Sequence, residues 1–136
     1  MNKTKNHRRE QRLYYDWPVR FAKGFEEELF MGQMVDICSW GSSFTCPVNN
    51  NRLKPGENVT TLFSVPRFGR GRGQSYDMAN YTRIGRICRV EKVDESLNRI
   101  AIQFTKPLFF MPGEQGVKDT DIKQRLGKGP QLPSQH

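Results

Sequence analysis

Few of the groups that catalysis needs are present. The chain has two histidines, His7 and His136, and both stand in terminal stretches too polar to pack. Neither is a well-positioned general base. No Cys–His or Ser–His pair falls on the segments expected to form a core, and no carboxylate pair lies near a likely pocket. There is no Gly-x-x-x-x-Gly-Lys phosphate loop either. These absences point away from an enzyme. Cysteine is also scarce: Cys38, Cys46 and Cys88 make an odd number without paired spacing. That argues against a disulfide framework and against a zinc site, and a reducing cytoplasm is the natural setting. Cys46 and Cys88 read as small core residues. No apolar run approaches the ~18 residues of a membrane-spanning helix. No apolar stretch follows Met1-Asn2-Lys3-Thr4-Lys5, so a signal peptide is not expected. Acids are outnumbered, 14 against 22 lysines and arginines, which gives a formal charge of +8. A chain this basic favours anionic partners such as nucleotides, nucleic acid or acidic lipid.

At 136 residues one domain is expected. Hydrophobic residues are only 35% of the chain, so the core is modest. Residues 1–12 carry Lys3, Lys5, His7, Arg8, Arg9 and Arg12 against one acid, Glu10. They can bury no face, and a mobile basic arm is expected. Such a run is either a solvated tail or an arm that orders around an anion. Arginine suits the second role, because its planar guanidinium makes paired hydrogen bonds and stacks on a base.

Six segments then carry strand signals. They are Tyr14 to Phe21, Leu29 to Ile37, Ser42 to Cys46, Val59 to Val65, Thr82 to Val90 and Arg99 to Phe104. Val59, Thr61, Phe63 and Val65 share one face, as do Ile100, Ile102 and Phe104. Pro18 confines the first segment to a strand start or an edge. The turns between are rich in Asn, Pro and Gly. Short strands at this spacing make an all-β protein, a small six-stranded antiparallel β-barrel. Pro66-Arg67-Phe68-Gly69-Arg70-Gly71-Arg72-Gly73 reads as a loop outside any strand. It is either a flexible loop with solvated charges or a surface that wraps an anion. After Pro107 the pattern changes: Pro112-Gly113 breaks the chain, Asp119 to Leu126 has the signals of a short helix, and a polar tail follows. The expected division is an arm over 1–12, a barrel over 13–110, and a short helix with a disordered tail over 111–136.

One stretch stands out, Val35-Asp36-Ile37-Cys38-Ser39-Trp40-Gly41. It reads as strand, tight turn, strand. Asp36 ends the first strand as an acceptor, small residues follow, and Gly41 supplies a turn conformation that a side chain would resist. Alone it is an ordinary hairpin with Asp36 capping its own backbone. Upstream, however, lies Arg8-Arg9-Glu10-Gln11-Arg12. Taken together, the two stretches resemble the PilZ family, whose motifs are an arginine, three residues and an arginine, then Asp-x-Ser-x-x-Gly at a strand turn. Arg8 and Arg12 match the first motif; Asp36 and Gly41 match the second. Cys38 stands where the family usually has serine. The resemblance covers roughly residues 7–110.

The resemblance implies a PilZ barrel, a helix near the C-terminus and cyclic di-GMP as ligand, with no other cofactor and no metal. Arg8 and Arg12 would clamp guanine and phosphate, with Arg9 beside them as a further ligand-binding candidate. Asp36 would accept from a guanine edge, position 38 would hydrogen-bond, and Gly41 would leave room. A thiol bonds more weakly than a hydroxyl, so Ser39 is an alternative at that contact. The implied protein is a bacterial, cytoplasmic second-messenger receptor that signals to a separate, unidentified protein partner. Two other readings remain. One is a barrel binding single-stranded nucleic acid through Arg67, Arg70 and Arg72 with Phe68 and Tyr76. The other is a ligand-free adaptor of PilZ type.

Overall fold

The computed structural model describes residues 10–24, 29–48, 53–68, 76–116 and 126. Seven strands form: β1 (Leu13–Tyr14), β2 (Pro18–Ala22), β3 (Phe30–Cys38), β4 (Gly41–Pro47), β5 (Asn58–Phe68), β6 (Tyr76–Lys92) and β7 (Leu97–Phe104). All pairings are antiparallel. The spatial order is β3-β2-β5-β6-β7-β4, and β4 returns to pair with β3. Six strands therefore close on themselves, and each of these six has a neighbour on both sides. This is the PilZ-like barrel that the resemblance implied.

The extra strand is β1. The expected first strand, Tyr14 to Phe21, is divided. Leu13–Tyr14 pairs with Ile37 and Asp36, while Pro18–Phe21 pairs with Gln33 to Phe30 farther along β3. The two pieces lie end to end against β3 with a one-residue slip between them. The stripes Val59–Thr61–Phe63–Val65 and Ile100–Ile102–Phe104 are buried as their alternation requires. Phe21 and Phe44 are fully buried and pack with ring centroids 5.0 Å apart; Phe63 stacks on Phe104 at 5.5 Å. Each such side chain contributes about 1.5–3 kcal/mol through burial.

Two β-bulges set which side chains face outward. In β3, Met34 pairs with Phe44 but Asp36 pairs with Ser43, so Val35 is an extra residue. Met34 and Phe44 face the core. Simple alternation would send Asp36 there too; the bulge turns it to the outer face and puts Ile37 inside. In β6, Ile87 pairs with Ile102 but Arg89 pairs with Ala101. The extra residue there is Cys88, which is exposed, so it is not the core residue expected. Cys46 is buried as expected.

The hairpin of β5 and β6 runs farther than the glycines suggested. Pro66, Arg67 and Phe68 continue β5 and pair with Met78, Asp77 and Tyr76. Arg67 and Asp77 make a two-point ion pair, with Nη2–Oδ2 at 2.7 Å and Nε–Oδ1 at 3.1 Å. The side-chain amide of Gln115 behaves like a strand neighbour, accepting from Phe68 N–H and donating to the Pro66 carbonyl. Residues 69–75, including Arg70 and Arg72, lie outside the described residues. So does most of the expected helix over 119–126; only Leu126 is described, and it is helical. Pro112–Glu114 forms a 3₁₀ turn rather than a plain break.

Candidate functional site

The turn Ser39-Trp40 joins β3 to β4. Asp36 lies before it, inside β3 rather than at its end. Its side chain is 5% exposed, and a carboxylate so placed needs opposite charge. Two arginines supply it. Arg12 donates from Nε at 2.9 Å and lies at 2.8 Å through Nη2, both to Oδ1. Arg99, on β7, reaches the other oxygen, Oδ2, from Nη2 at 3.2 Å. Both Asp36 oxygens are thus engaged with arginine, and its own backbone is not what it caps. Ser43 on β4 sits between and accepts from Arg99 Nε at 3.4 Å and Nη2 at 3.2 Å.

Arg12 also donates from Nη1 to Cys38 Sγ at 3.3 Å. The first and second motifs therefore meet at three residues: Arg12, Asp36 and Cys38. Burial pulls the Arg12 pKa down, but attraction to the Asp36 carboxylate and the hydrogen bond to it outweigh that, and the net direction is upward. Arg12 is firmly cationic here. Arg8 and Arg9 lie outside the described residues.

Glu10 holds the turn from the other side. Its carboxylate accepts from Ser39 N–H at 2.8 Å and from Ser39 Oγ at 2.7 Å. The Ser39 hydroxyl is committed to Glu10 and does not stand in at the Cys38 contact. Gln11 N–H donates to Glu114 Oε2 at 2.7 Å. A Cβ at Gly113 would collide with the backbone of Gln11 and Arg12, so glycine there lets the 3₁₀ turn lie against this segment.

Gly41 lines a groove on this face, beside Asp36 and Cys38, but it does not supply the left-handed turn conformation expected of it. Among the described residues, positive φ occurs at Gly56 and Gly116, not at Gly41. Gly41 opens β4 opposite Gln103 on β7. A Cβ at position 41 would lie 2.5 Å from the Ile102 carbonyl oxygen. Close approach of two strands is what requires glycine here, and the space beside its Cα is filled by β7.

An open groove of about 450 Å³ runs across this face, lined by Arg12, Asp36, Cys38, Trp40, Ser43, Arg89, Arg99 and Gln103 among others. Trp40 is 50% exposed at its rim. Arg89 is exposed and pairs with Glu91 at 3.2 Å. Three arginines against two carboxylates, the buried Asp36 and the exposed Glu91, leave the groove cationic, and the indole offers a flat apolar surface. Such a groove can hold a phosphate-bearing ligand with a planar base. The sequence reading missed Arg99, Arg89, Trp40, Ser43 and Glu10. Arg99 had one legible signal, a charged residue outside the stripe Ile100–Ile102–Phe104. Its closeness to Asp36 depends on β4 lying between their strands. Another depression of about 350 Å³, lined by Trp17, Arg20, Phe63 and Tyr81 among others, contains no motif residue. The residues of the nucleic-acid reading are engaged where described: Arg67 with Asp77, and Phe68 with the Tyr76 ring at 5.9 Å.

The fold and the groove define a small closed β-barrel with a basic, ligand-sized site at one strand turn. Among solved structures, the Bacillus subtilis inhibitor of motility MotI/DgrA has the same fold, with a TM-score of 0.59 and 12% sequence identity over 94% of this chain. This chain spans 58% of that protein's length. Identity this low establishes a shared fold alone. No family model matches the sequence, and no curated protein matches it. Among the described residues, no helix is long and apolar enough to cross a membrane.

Proposed function

We propose that this chain is a non-catalytic receptor of PilZ type, which binds cyclic di-GMP and passes the signal to a separate protein in the bacterial cytoplasm. One observation carries the reading. Arg12, from the first motif, is seated on Asp36 and Cys38, from the second, although 24 and 26 residues separate them. The shared barrel supports it. Cyclic di-GMP offers two phosphates to arginine and two guanine edges whose N–H donors suit a carboxylate. Arg8, Arg9 and Arg12 take the anionic and acceptor groups, Asp36 takes guanine donors, and Cys38 contributes a weak contact. Drawing Arg12 from Asp36 to the ligand changes the surface beside the Ser39-Trp40 turn, which the neighbouring Glu10 holds, and that change is the output.

A second reading has one observation of its own. Both Asp36 oxygens and the Ser39 turn are satisfied by the chain's own side chains. A ligand-free adaptor of PilZ type needs nothing more. Calorimetry with cyclic di-GMP, GTP and a single-stranded oligonucleotide separates the readings. A receptor binds cyclic di-GMP at micromolar concentration or tighter and ignores the oligonucleotide. Absence of heat with cyclic di-GMP rejects the receptor reading and leaves the adaptor.

A further inference from the structure

We propose that Arg99 is a positioning residue: it keeps a counter-ion on the buried Asp36 carboxylate and holds it in place while Arg12 leaves it for an anionic ligand. The ligand half of this inference rests on the receptor reading; the charge-sharing half does not.

The geometry divides the carboxylate. Arg12 places two nitrogens on Oδ1, and Arg99 places one on Oδ2. The two cations differ in how firmly they are anchored. Arg12 precedes β1, and its other contact is a thiol, a weak acceptor. A phosphate is a far better partner and can draw it away. Arg99 lies in β7, paired on one side to Thr45 and on the other to Glu91. Its guanidinium is also bonded twice to Ser43 Oγ. Its backbone cannot follow a ligand without opening the barrel.

If Arg12 were the sole counter-ion, its departure would strand a charge that is almost fully buried, and binding would be opposed. With Arg99 on Oδ2, only Oδ1 is vacated. That oxygen then faces the groove, ready for the adjacent N1–H and N2–H of guanine. An adenine edge has no such pair of donors, so Arg99 sets base discrimination through Asp36. Arg89 lines the same groove, but its ion pair is with Glu91. It contributes charge without touching Asp36, which makes it the control.

Two measurements on the full chain decide the matter. The first needs no ligand: thermal midpoints of Arg12→Ala, Arg99→Gln, the double variant, and the double variant with Asp36→Asn. Each single change should lower the midpoint modestly. The double should fall by well over the sum of the singles, or fail to fold, and Asp36→Asn should recover most of the loss. Additive singles, or no recovery with Asp36→Asn, would show that the two arginines do not share this carboxylate. The second is calorimetry with cyclic di-GMP and cyclic di-AMP. Arg99→Gln should weaken cyclic di-GMP about ten- to a hundredfold and erode the preference over cyclic di-AMP. Arg99→Lys should restore part of both, and Arg89→Gln should weaken binding with the preference intact. If Arg99→Gln weakens binding but preserves the preference, Arg99 is merely one more charge and the positioning role is wrong. If the parent binds neither dinucleotide, the receptor reading and the ligand role of Arg99 both fall, and the melting series still tests the charge sharing.

Discussion

Replacing Gly41 with alanine tests whether the glycine of the second motif serves the ligand or the barrel. The added Cβ would lie 2.5 Å from the Ile102 carbonyl oxygen and 3.5 Å from Gln103 Cα. The obstacle is backbone in β7, a strand paired on both sides, so no rotamer change relieves it. Overpacking of this kind costs about 1–3 kcal/mol. Alanine's smaller loss of chain entropy returns at most about 0.4–1 kcal/mol where its backbone fits. For a domain of this size, about 1 kcal/mol moves the melting midpoint by roughly 4 °C. Between about 0 and 2.6 kcal/mol then remains, so Gly41→Ala is expected to melt up to about 10 °C below the parent without any ligand. Gly85→Ala is the matched control. Its Cβ would meet the Ile102 side chain, Cδ1 at 2.6 Å, Cβ at 3.1 Å and Cγ1 at 3.2 Å; the Cδ1 tip can turn aside, while the other two need give only slightly. It should lose less than half as much. Circular dichroism melts, with urea titrations to check that the slope is unchanged, read the difference. A Gly41→Ala protein that melts like the parent but no longer binds cyclic di-GMP would refute the packing argument and return this glycine to the ligand.

Arg12→Ala and Arg8→Ala should each weaken cyclic di-GMP about ten- to a hundredfold in calorimetry, the effect of losing a charge-assisted hydrogen bond of about 1.5–3 kcal/mol. The ligand-free midpoint should be almost unchanged for Arg8→Ala and should fall only modestly for Arg12→Ala, because Arg99 still neutralises Asp36 there. Cys38→Ser should keep or improve affinity, since it restores the hydroxyl of the resembled motif, which bonds a ligand better than a thiol does; a tenfold loss would mean that the thiol packs rather than bonds. The Asp94 carboxyl is held below its usual range, first by the Ser96 N–H, then by the Ser96 hydroxyl and the Leu97 N–H. Its contribution is complete above the unfolded carboxyl value near 3.8 and disappears as pH falls through the lower folded value. Urea midpoints between pH 7 and pH 2.5 should therefore fall less steeply in acid for Asp94→Ala than for the parent.

The barrel was legible because its information is local. Alternation along Val59–Val65 and Ile100–Phe104 fixes which side chains are buried, and turn residues mark where strands stop. What escaped depended on pairing between strands. Nothing in Met34-Val35-Asp36 announces a bulge, yet the bulge decides whether Asp36 faces the core or the groove. The same is true of Cys88. Pro66 and Gly69 suggested a loop, but the Arg67–Asp77 ion pair and the Phe68–Tyr76 contact extend the hairpin, which is visible only once β5 and β6 are in register. The motif placed Asp36, Cys38 and Arg12 correctly beside one another. Arg99 stands 63 residues from Asp36 and belongs to no motif, so only barrel closure reveals it.

Closure and site assembly are, in this molecule, one event. β4 is the closing strand: it pairs with β3 on one side and β7 on the other. Asp36 and Arg99 stand on the two strands that β4 joins, and Ser43 stands on β4 between them. Until that seam forms, Asp36 has no counter-ion from β7, and its burial is opposed. Once it forms, Arg12 adds a second cation that the barrel itself does not require. On the proposed reading, this surplus cation is the one a ligand can take. Glu10 and Gln11 precede Arg12 directly, and they hold the Ser39 turn and Glu114. The Ser39 and Trp40 carbonyls in turn accept from the N–H groups of Leu108 and Phe104. On the proposed reading, a ligand that draws Arg12 off Asp36 disturbs these surface contacts and spares the seam. The barrel stays shut while the face around Trp40 changes, which is what a receptor with a separate output partner requires.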